Sequence, residues 1–224
     1  MNDWVIGGII AASLIGSFLY KNWVTNRTLR KLYLLRNVQQ KDEFLKEIEG
    51  FNSKFYFSEF TRKMMALNFL MEIGCYDEAT AYYQEWTKLK MKADEKIAFG
   101  FKLYELTILT KDKDRATKLK HQLLEAIEKS KNKNHEALKG EIKLLYAVYF
   151  EKDVSLIGHI ELELQNINDR ELKAEYYHRL AKLYYADENQ KKSLEALENA
   201  IQETQSEARK KSLLNTKENL HLLA

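Results

Sequence analysis

The hydrophobic and polar positions of the chain divide it into one apolar segment near the start and a long remainder with helical spacing. Residues 4–20 read WVIGGIIAASLIGSFLY, without a charged side chain. A helix of this length extends about 25 Å, close to the lower limit for a membrane span. Trp4, Tyr20 and Trp23 stand where aromatic side chains meet the membrane interface. The pattern predicts a transmembrane helix, with an anchor over residues 1–24 and lipid contact over residues 4–23.

The charges that flank this segment predict its orientation. Before it stands Asp3, with no Lys or Arg, which disfavours a cleaved signal peptide. After it come Lys21, Arg27, Arg30, Lys31 and Arg36. Because basic residues stay on the cytoplasmic side, we expect a single-pass protein of the cell membrane with its N-terminus outside and its long C-terminal domain in the cytoplasm. The inverted orientation is the alternative, with an extracytoplasmic, chaperone-like domain.

Three small residues recur at every fourth position of the apolar segment. Gly8, Ala12 and Gly16 would share one face of a helix. Small side chains at this spacing let two membrane helices approach closely, so these residues predict a homo-oligomer packed through the membrane. The alternative is a plain anchor.

The remainder of the chain shows apolar stripes at helical spacing, interrupted by short polar breaks. Residues 25–50 predict basic juxtamembrane helices that cap the rest of the chain. Beyond residue 50, one small residue comes after each polar break, and these residues are 37, 39 and 38 positions apart. They are Ala79, Ala116, Ser155 and Ser193. Two helices pack closely where one side chain is small, so the spacing predicts four stacked helix pairs.

Two segments carry a more specific pattern. In the last pair, Leu180, Ala181 and Tyr184 precede a polar turn and Ser193, and in the first, Gly74 begins the turn that leads to Ala79. This arrangement resembles the tetratricopeptide repeat, a tandem helix pair of about 34 residues. The resemblance implies an all-α fold in which residues 51–224 form an antiparallel helix-pair solenoid closed by a C-terminal capping helix.

The resemblance also implies a site. In that family the first helix of each pair lines a concave groove, which binds an extended peptide or a helix of a partner protein. The matching positions of this chain are Asn68, Met71, Phe101, Glu105, His178, Lys182 and Tyr185. The alternative is that some of these residues only pack between repeats.

The composition agrees with a helical chain and excludes several functions. The chain has no proline, eight glycines and one cysteine, so it cannot form an internal disulfide or a four-cysteine zinc site. Its net charge of +3 comes from 36 basic and 33 acidic residues, without the basic face typical of nucleic-acid binding. None of the five histidines belongs to a catalytic or metal-binding motif. We therefore expect no enzyme, no catalytic residue, no metal and no cofactor.

Together these features predict a membrane-tethered adaptor or assembly factor that recruits a partner protein through its groove. A self-assembling structural membrane protein is the alternative. Tethering a binding domain raises its local concentration at the bilayer, which favours the first hypothesis.

Overall fold

The computed structural model describes residues 21–86, 90–130, 132 and 135–224, and every regular element within these ranges is helical. The predicted all-α class is therefore confirmed. No helix in these ranges combines the length and the apolar character that crossing a membrane requires. The transmembrane part of the predicted fold is thus not supported, and residues 4–20, with Gly8, Ala12 and Gly16, lie outside the described residues. The predicted orientation in the cell membrane stays a prediction.

The chain divides into two compact units, Met1–Leu70 and Met71–Ala224. The described part of the first unit contains four helices. They are α1 (helical over residues 21–37), α2 (Lys41–Ile48), α3 (Phe51–Tyr56) and α4 (Glu59–Glu72), which ends just past the boundary. The rings of Phe44 and Phe69 are buried in this unit and lie 4.1 Å apart between centroids. Val24, Leu32 and Ile48 are buried in the same unit.

The second unit continues with eight helices within the described ranges. They are α5 (Tyr76–Trp86), α6 (Ala93–Leu109), α7 (Lys113–Lys129), α8 (His135–Tyr146), α9 (Ile157–Leu164), α10 (Arg170–Ala186), α11 (Gln190–Glu203) and α12 (Glu207–Glu218). A π-helical turn (Ala147–Glu151) and a 3-10 turn (Val154–Leu156) separate α8 from α9, and a 3-10 turn (Leu220–Leu223) comes after α12. Consecutive helices pack on each other except α8 and α9, most extensively α10 on α11 and α6 on α7.

The turns inside the helix pairs share one backbone conformation. Each contains a residue with left-handed backbone, with φ between 53° and 77°, and these residues are Gly74, Lys111, Lys152 and Glu188. After the last three stands Asp112, Asp153 or Asn189, whose side chain accepts a hydrogen bond from a backbone N–H two or three residues further on. A left-handed residue reverses the chain and the capping side chain starts the next helix, so the turn is only a few residues long.

The small residues at the predicted spacing agree with the structure at three positions of four. Ala79, Ala116 and Ser193 are completely buried, and the Ser193 hydroxyl donates to the Ala181 carbonyl at 2.8 Å, which fixes α11 against α10. Ser155 differs, because it is exposed and lies in the 3-10 turn rather than in a helix. Its hydroxyl donates to the Asp153 carboxylate, which already caps this turn. The third pair therefore departs from the others.

Candidate functional site

A buried arginine organises the polar side chains of the second unit. Arg179, on α10, is only 3% exposed, and its two terminal nitrogens donate to the two carboxylate oxygens of Glu141 on α8, one of them at 3.1 Å. Its guanidinium also lies 4.7 Å from the ring centroid of Tyr176. Burial lowers the pKa of Arg179, but the Glu141 carboxylate, together with Tyr149 and Glu175, offsets this and holds the pKa above its usual value. The pair thus ties α8 to α10 with a charged, two-point contact.

A second arginine extends this arrangement to α12. Arg209 reaches back to α10, with Nη1 at 3.1 Å from Glu171 Oε2 and Nη2 at 2.8 Å from Glu175 Oε1. Glu175 also lies 3.9 Å from Arg179, so it stands between the two guanidinium groups. Glu141, Arg179, Glu175, Arg209 and Glu171 therefore form one row of alternating charges across α8, α10 and α12. We call this row the charge ladder.

The far end of the charge ladder is held by backbone. The Glu171 carboxylate accepts a hydrogen bond from the Ser206 N–H at 3.0 Å and from the Thr204 hydroxyl at 3.1 Å, in the turn between α11 and α12. The Gln205 N–H donates to the same carboxylate. These hydrogen bonds hold the Glu171 carboxylate against the turn between α11 and α12.

Beside the charge ladder lie two basic side chains whose surroundings disfavour their charged forms. Lys182 is 8% exposed, and its Nζ donates to the Leu223 carbonyl at 2.7 Å and lies 5.2 Å from the Tyr149 ring centroid. Burial, with Lys111 and Lys152, lowers the pKa of Lys182 to about 8. Burial, with Lys182, Arg209 and Arg179, lowers the pKa of His178 to about 3. His178 is consequently neutral at pH 7.

Helix α6 packs on α8, which carries one member of the charge ladder. Glu105 pairs with Lys102 at 2.6 Å on the same helix. Burial raises the pKa of Glu105, Lys102 lowers it, and the negative charges of Glu175 and Glu141 raise it further. The Tyr104 hydroxyl donates to the Ile142 carbonyl at 2.9 Å and fixes α6 against α8.

The structure groups some of the predicted groove residues and separates others. Members of the charge ladder shift the pKa values of Glu105 and His178. The pKa of Lys182 is shifted by Lys111 and Lys152. Phe101 and Tyr185 are half-buried and pack against the hydrophobic core instead. Met71 is buried, and Asn68 is exposed on α4 within the first unit. The role of these residues in binding stays a prediction.

Sequence reasoning missed the residues of the charge ladder. Their types resemble those of any solvated helix face, so composition alone did not separate them. One signal was present: Glu141 and Arg179 stand 38 positions apart, which is also the spacing of the small residues. Opposite charges at the repeat spacing indicate an ion pair between equivalent helices, and a search for such pairs would have found this one.

A separate cleft of about 500 Å³ lies among α9, α10 and α11. Tyr184 and Lys192 form part of its wall, and the Lys192 Nζ lies 5.0 Å from the Tyr184 ring centroid. The Tyr184 hydroxyl donates to Glu161, and burial together with this carboxylate raises the pKa of Tyr184 to about 12. The Tyr184 hydroxyl is therefore protonated at pH 7 and engaged with Glu161. Across the described ranges, no cluster of His, Cys, Asp and Glu has the arrangement of a metal site.

Comparison of the chain with family models, with curated proteins and with solved structures finds no match. The predicted identification as a tetratricopeptide-type protein with a single-pass anchor is therefore wrong: no family model supports the repeat, and none of the described helices could span a membrane. The structure departs from a regular array in the third pair, where a 3-10 turn and the short α9 stand in place of a full second helix. Helices that pair at a regular spacing are compatible with an all-α repeat-like fold, but such spacing alone does not assign the chain to a family.

Proposed function

We propose that the chain is a protein-binding adaptor and that the second unit binds an acidic segment of its partner beside the charge ladder. The observation that carries this proposal is the setting of Lys182. Its hydrogen bond goes to a backbone carbonyl, and the two charges that most affect its pKa are those of Lys111 and Lys152. Lys111 Nζ donates to the Ala224 oxygen at 2.9 Å, and a carboxylate placed beside Lys182 would reduce the repulsion among the three ammonium groups.

The neighbouring groups add to the same local field. His178 has its pKa lowered partly by Arg209 and Arg179, so these cations also act at the position beside Lys182. A carboxylate placed there would interact favourably with all of them, and it would raise the pKa values of His178 and Lys182 towards their usual range. Binding of an acidic segment should therefore be accompanied by proton uptake near pH 8, where Lys182 is half-charged in the free protein.

The scaffold around these groups is rigid enough to hold a site. The Arg179–Glu141 pair joins α8 to α10, and the Tyr104 hydroxyl joins α6 to α8. Side chains fixed before binding lose little conformational entropy when a ligand arrives. The rings of Tyr149 and Tyr176 lie against Lys182 and Arg179, and tyrosines beside charged groups are frequent in surfaces that bind peptides.

The proposal is tested with matched peptides. Fluorescence anisotropy would compare glutamate-containing twelve-residue peptides with the same peptides carrying glutamine, on the full chain and on the variants Lys182→Met and Lys191→Met. Lys191 is exposed on α11 and serves as the control. We expect tighter binding of the glutamate peptides, a loss of at least tenfold in Lys182→Met and less than a twofold change in the control.

Two results would oppose the proposal. One is equal binding of glutamate and glutamine peptides, which would remove the role of the carboxylate. The other is an equal loss of affinity in both lysine variants, which would show that the peptides respond to the overall charge of the protein rather than to Lys182. Calorimetry at pH 8 in two buffers of different ionisation enthalpy measures the proton uptake independently of affinity, and zero uptake would show that Lys182 does not meet the bound carboxylate.

A further inference from the structure

Helix α1 is anchored to its own unit by one narrow stripe. Val24, Thr28 and Leu32 are buried at 6%, 3% and 3% exposure, and they are spaced by four residues. The Thr28 hydroxyl donates to the Val24 carbonyl within the helix, which satisfies this polar group inside the stripe. Most other side chains over residues 21–37 are exposed. A helix with so little of its surface packed leaves a wide face open to solvent.

The exposed surface of α1 carries charge of one sign. Residues 21–37 contain no Asp or Glu, and all five of their basic side chains are exposed. These are Lys21, Arg27, Arg30, Lys31 and Arg36. Lys31 pairs with Glu47 of α2, so it is neutralised within the unit. Since the helix itself supplies no carboxylate, its surface has a net positive field, which favours an anionic partner.

One row of this surface combines the cations with large apolar side chains. Trp23, Arg27, Arg30 and Leu34 are spaced by four, three and four residues, so they lie on one face of the helix. Trp23 is 57% exposed and Leu34 is 62% exposed, and the Arg27 guanidinium lies 5.5 Å from the Trp23 ring centroid. We call these four residues the α1 row.

We propose that the α1 row binds the surface of an anionic phospholipid bilayer, with the helix lying parallel to that surface. Trp23 and Leu34 would enter the boundary between headgroups and acyl chains, and Arg27 and Arg30 would contact the lipid phosphates. This is the arrangement of an interfacial amphipathic helix, which does not cross the bilayer. The inference is independent of the proposed function, because it concerns the other unit and a different ligand.

The side chains themselves favour a lipid surface over other anions. A nucleic acid would satisfy the arginines, but its phosphates would leave the exposed Leu34 in water. An acidic protein helix would need carboxylates and an apolar pocket at matching positions. A bilayer provides anionic headgroups and an apolar layer together over any length of helix, and tryptophan is enriched at that boundary. Each basic residue near an anionic membrane contributes about 1 kcal/mol.

The test needs a local readout, because residues 4–20 are apolar and could themselves associate with vesicles. The full chain would carry Cys75→Ser and Asn37→Cys, with an environment-sensitive fluorophore on the new thiol. Asn37 is exposed and adjoins the α1 row on the helix surface. The probes would be vesicles of phosphatidylcholine alone and vesicles with roughly one third phosphatidylglycerol.

We expect the emission to shift to shorter wavelength with the anionic vesicles and to stay unchanged with the neutral ones. In the double variant Arg27→Glu/Arg30→Glu, the apparent affinity of this response should fall at least tenfold. The control Lys113→Glu/Lys118→Glu changes net charge equally at two exposed positions of α7 and should respond as the parent does.

Three outcomes would overturn the inference. An equal shift in neutral and anionic vesicles would show insertion driven by apolar residues alone. An unchanged response in the α1 variant would show that the arginines do not meet the lipid. A shift of the same size with single-stranded DNA or polyglutamate in place of vesicles would show a general polyanion site. Circular dichroism of both variants checks that helix content is retained.

Discussion

The guanidinium of Arg179 donates two hydrogen bonds to the carboxylate of Glu141, which stands 38 positions earlier in the chain. The same separation recurs in the bond from Tyr104 to Ile142 and in that from Arg209 to Glu171. It lies within the 37 to 39 positions that separate the small residues at the helix-pair contacts. These bonds therefore join equivalent positions of neighbouring helix pairs.

Removing one partner of the Arg179–Glu141 pair should destabilise the protein, because it leaves a buried charge without its counterion. In Glu141→Leu the guanidinium stays buried without its carboxylate, so we expect the free energy of unfolding to fall by about 3 kcal/mol. The double variant Glu141→Leu/Arg179→Met should recover most of this loss, because neither charge remains. Urea unfolding followed by circular dichroism measures both.

The exposed pair Arg170–Glu203 is the control for that comparison. Its arginine side chain is 54% exposed, so Glu203→Leu should change the free energy of unfolding by less than about 1 kcal/mol. If Glu141→Leu lowers the free energy of unfolding no more than Glu203→Leu does, the guanidinium of Arg179 is hydrated without its carboxylate, and the expected cost is absent.

Ser193 should be intolerant of larger side chains. It is completely buried between α10 and α11, so Ser193→Leu must push the helices apart and should cost about 1–3 kcal/mol of unfolding free energy. Ser155→Leu is the matched change at the exposed position of the third pair, and it should be nearly neutral. Thermal unfolding measures the midpoint temperatures of the two variants. Similar midpoints would contradict the proposed difference in packing between positions 193 and 155.

His178 should make stability depend on pH. Its pKa is about 3 in the folded protein against an ordinary value of 6.5, so below pH 6.5 the unfolded chain binds the proton first. The free energy of unfolding should therefore decrease as the pH falls from 6.5 towards 3, by at most about 1.4 kcal/mol per pH unit from this residue.

His178→Gln should make this decrease shallower, as urea unfolding at pH 7.5, 6 and 5 would measure. His159→Gln changes an exposed histidine and should leave the dependence close to that of the parent chain. Should all three proteins lose stability in parallel, the titrating group lies elsewhere.

Much of the fold could be predicted from the sequence because local signals and packing agree in most of the chain. The turn at Glu188 and Asn189 is polar in sequence and capped in structure, and Ser193 is small because α10 lies against it. In the third pair the same signals misled, since Ser155 comes after a polar break yet serves a 3-10 turn. A small residue alone does not distinguish a helix contact from a capped turn.

The candidate site was less predictable than the fold. Lys182 was recognised as a groove position, but its surroundings come from Leu223, which lies 41 positions further along the chain. Likewise, the partner of Arg179 comes from another helix pair. Helical periodicity gives the face on which a residue lies, whereas the opposing side chain depends on how distant pairs stack.

Replacement of Glu188 by glycine should stabilise the protein. Its φ of 58° is strained for a side chain with a Cβ, so Glu188→Gly should raise the free energy of unfolding by about 0.5–1 kcal/mol after the added flexibility of the unfolded chain is counted. Glu195→Gly, at an exposed position inside α11, should instead lower it by a similar amount. Differential scanning calorimetry measures both changes, and a lower midpoint in Glu188→Gly would show that its side chain contributes more than the strain removes.

The π-helical turn at Ala147–Glu151 has a consequence for how this chain tolerates changes of length. Such a turn holds one more residue than an α-helical turn, so an additional residue is absorbed there without rotating the helix before it. Tyr146, at the end of α8, and Val148, inside the turn, are consequently both buried against the core. Removing one residue from this turn should be accommodated by conversion to an ordinary α-helical turn, whereas the same deletion within α10 would rotate every later side chain of that helix by about 100°. The segment thus marks the position at which the array can gain or lose a residue while its neighbouring pairs keep their register.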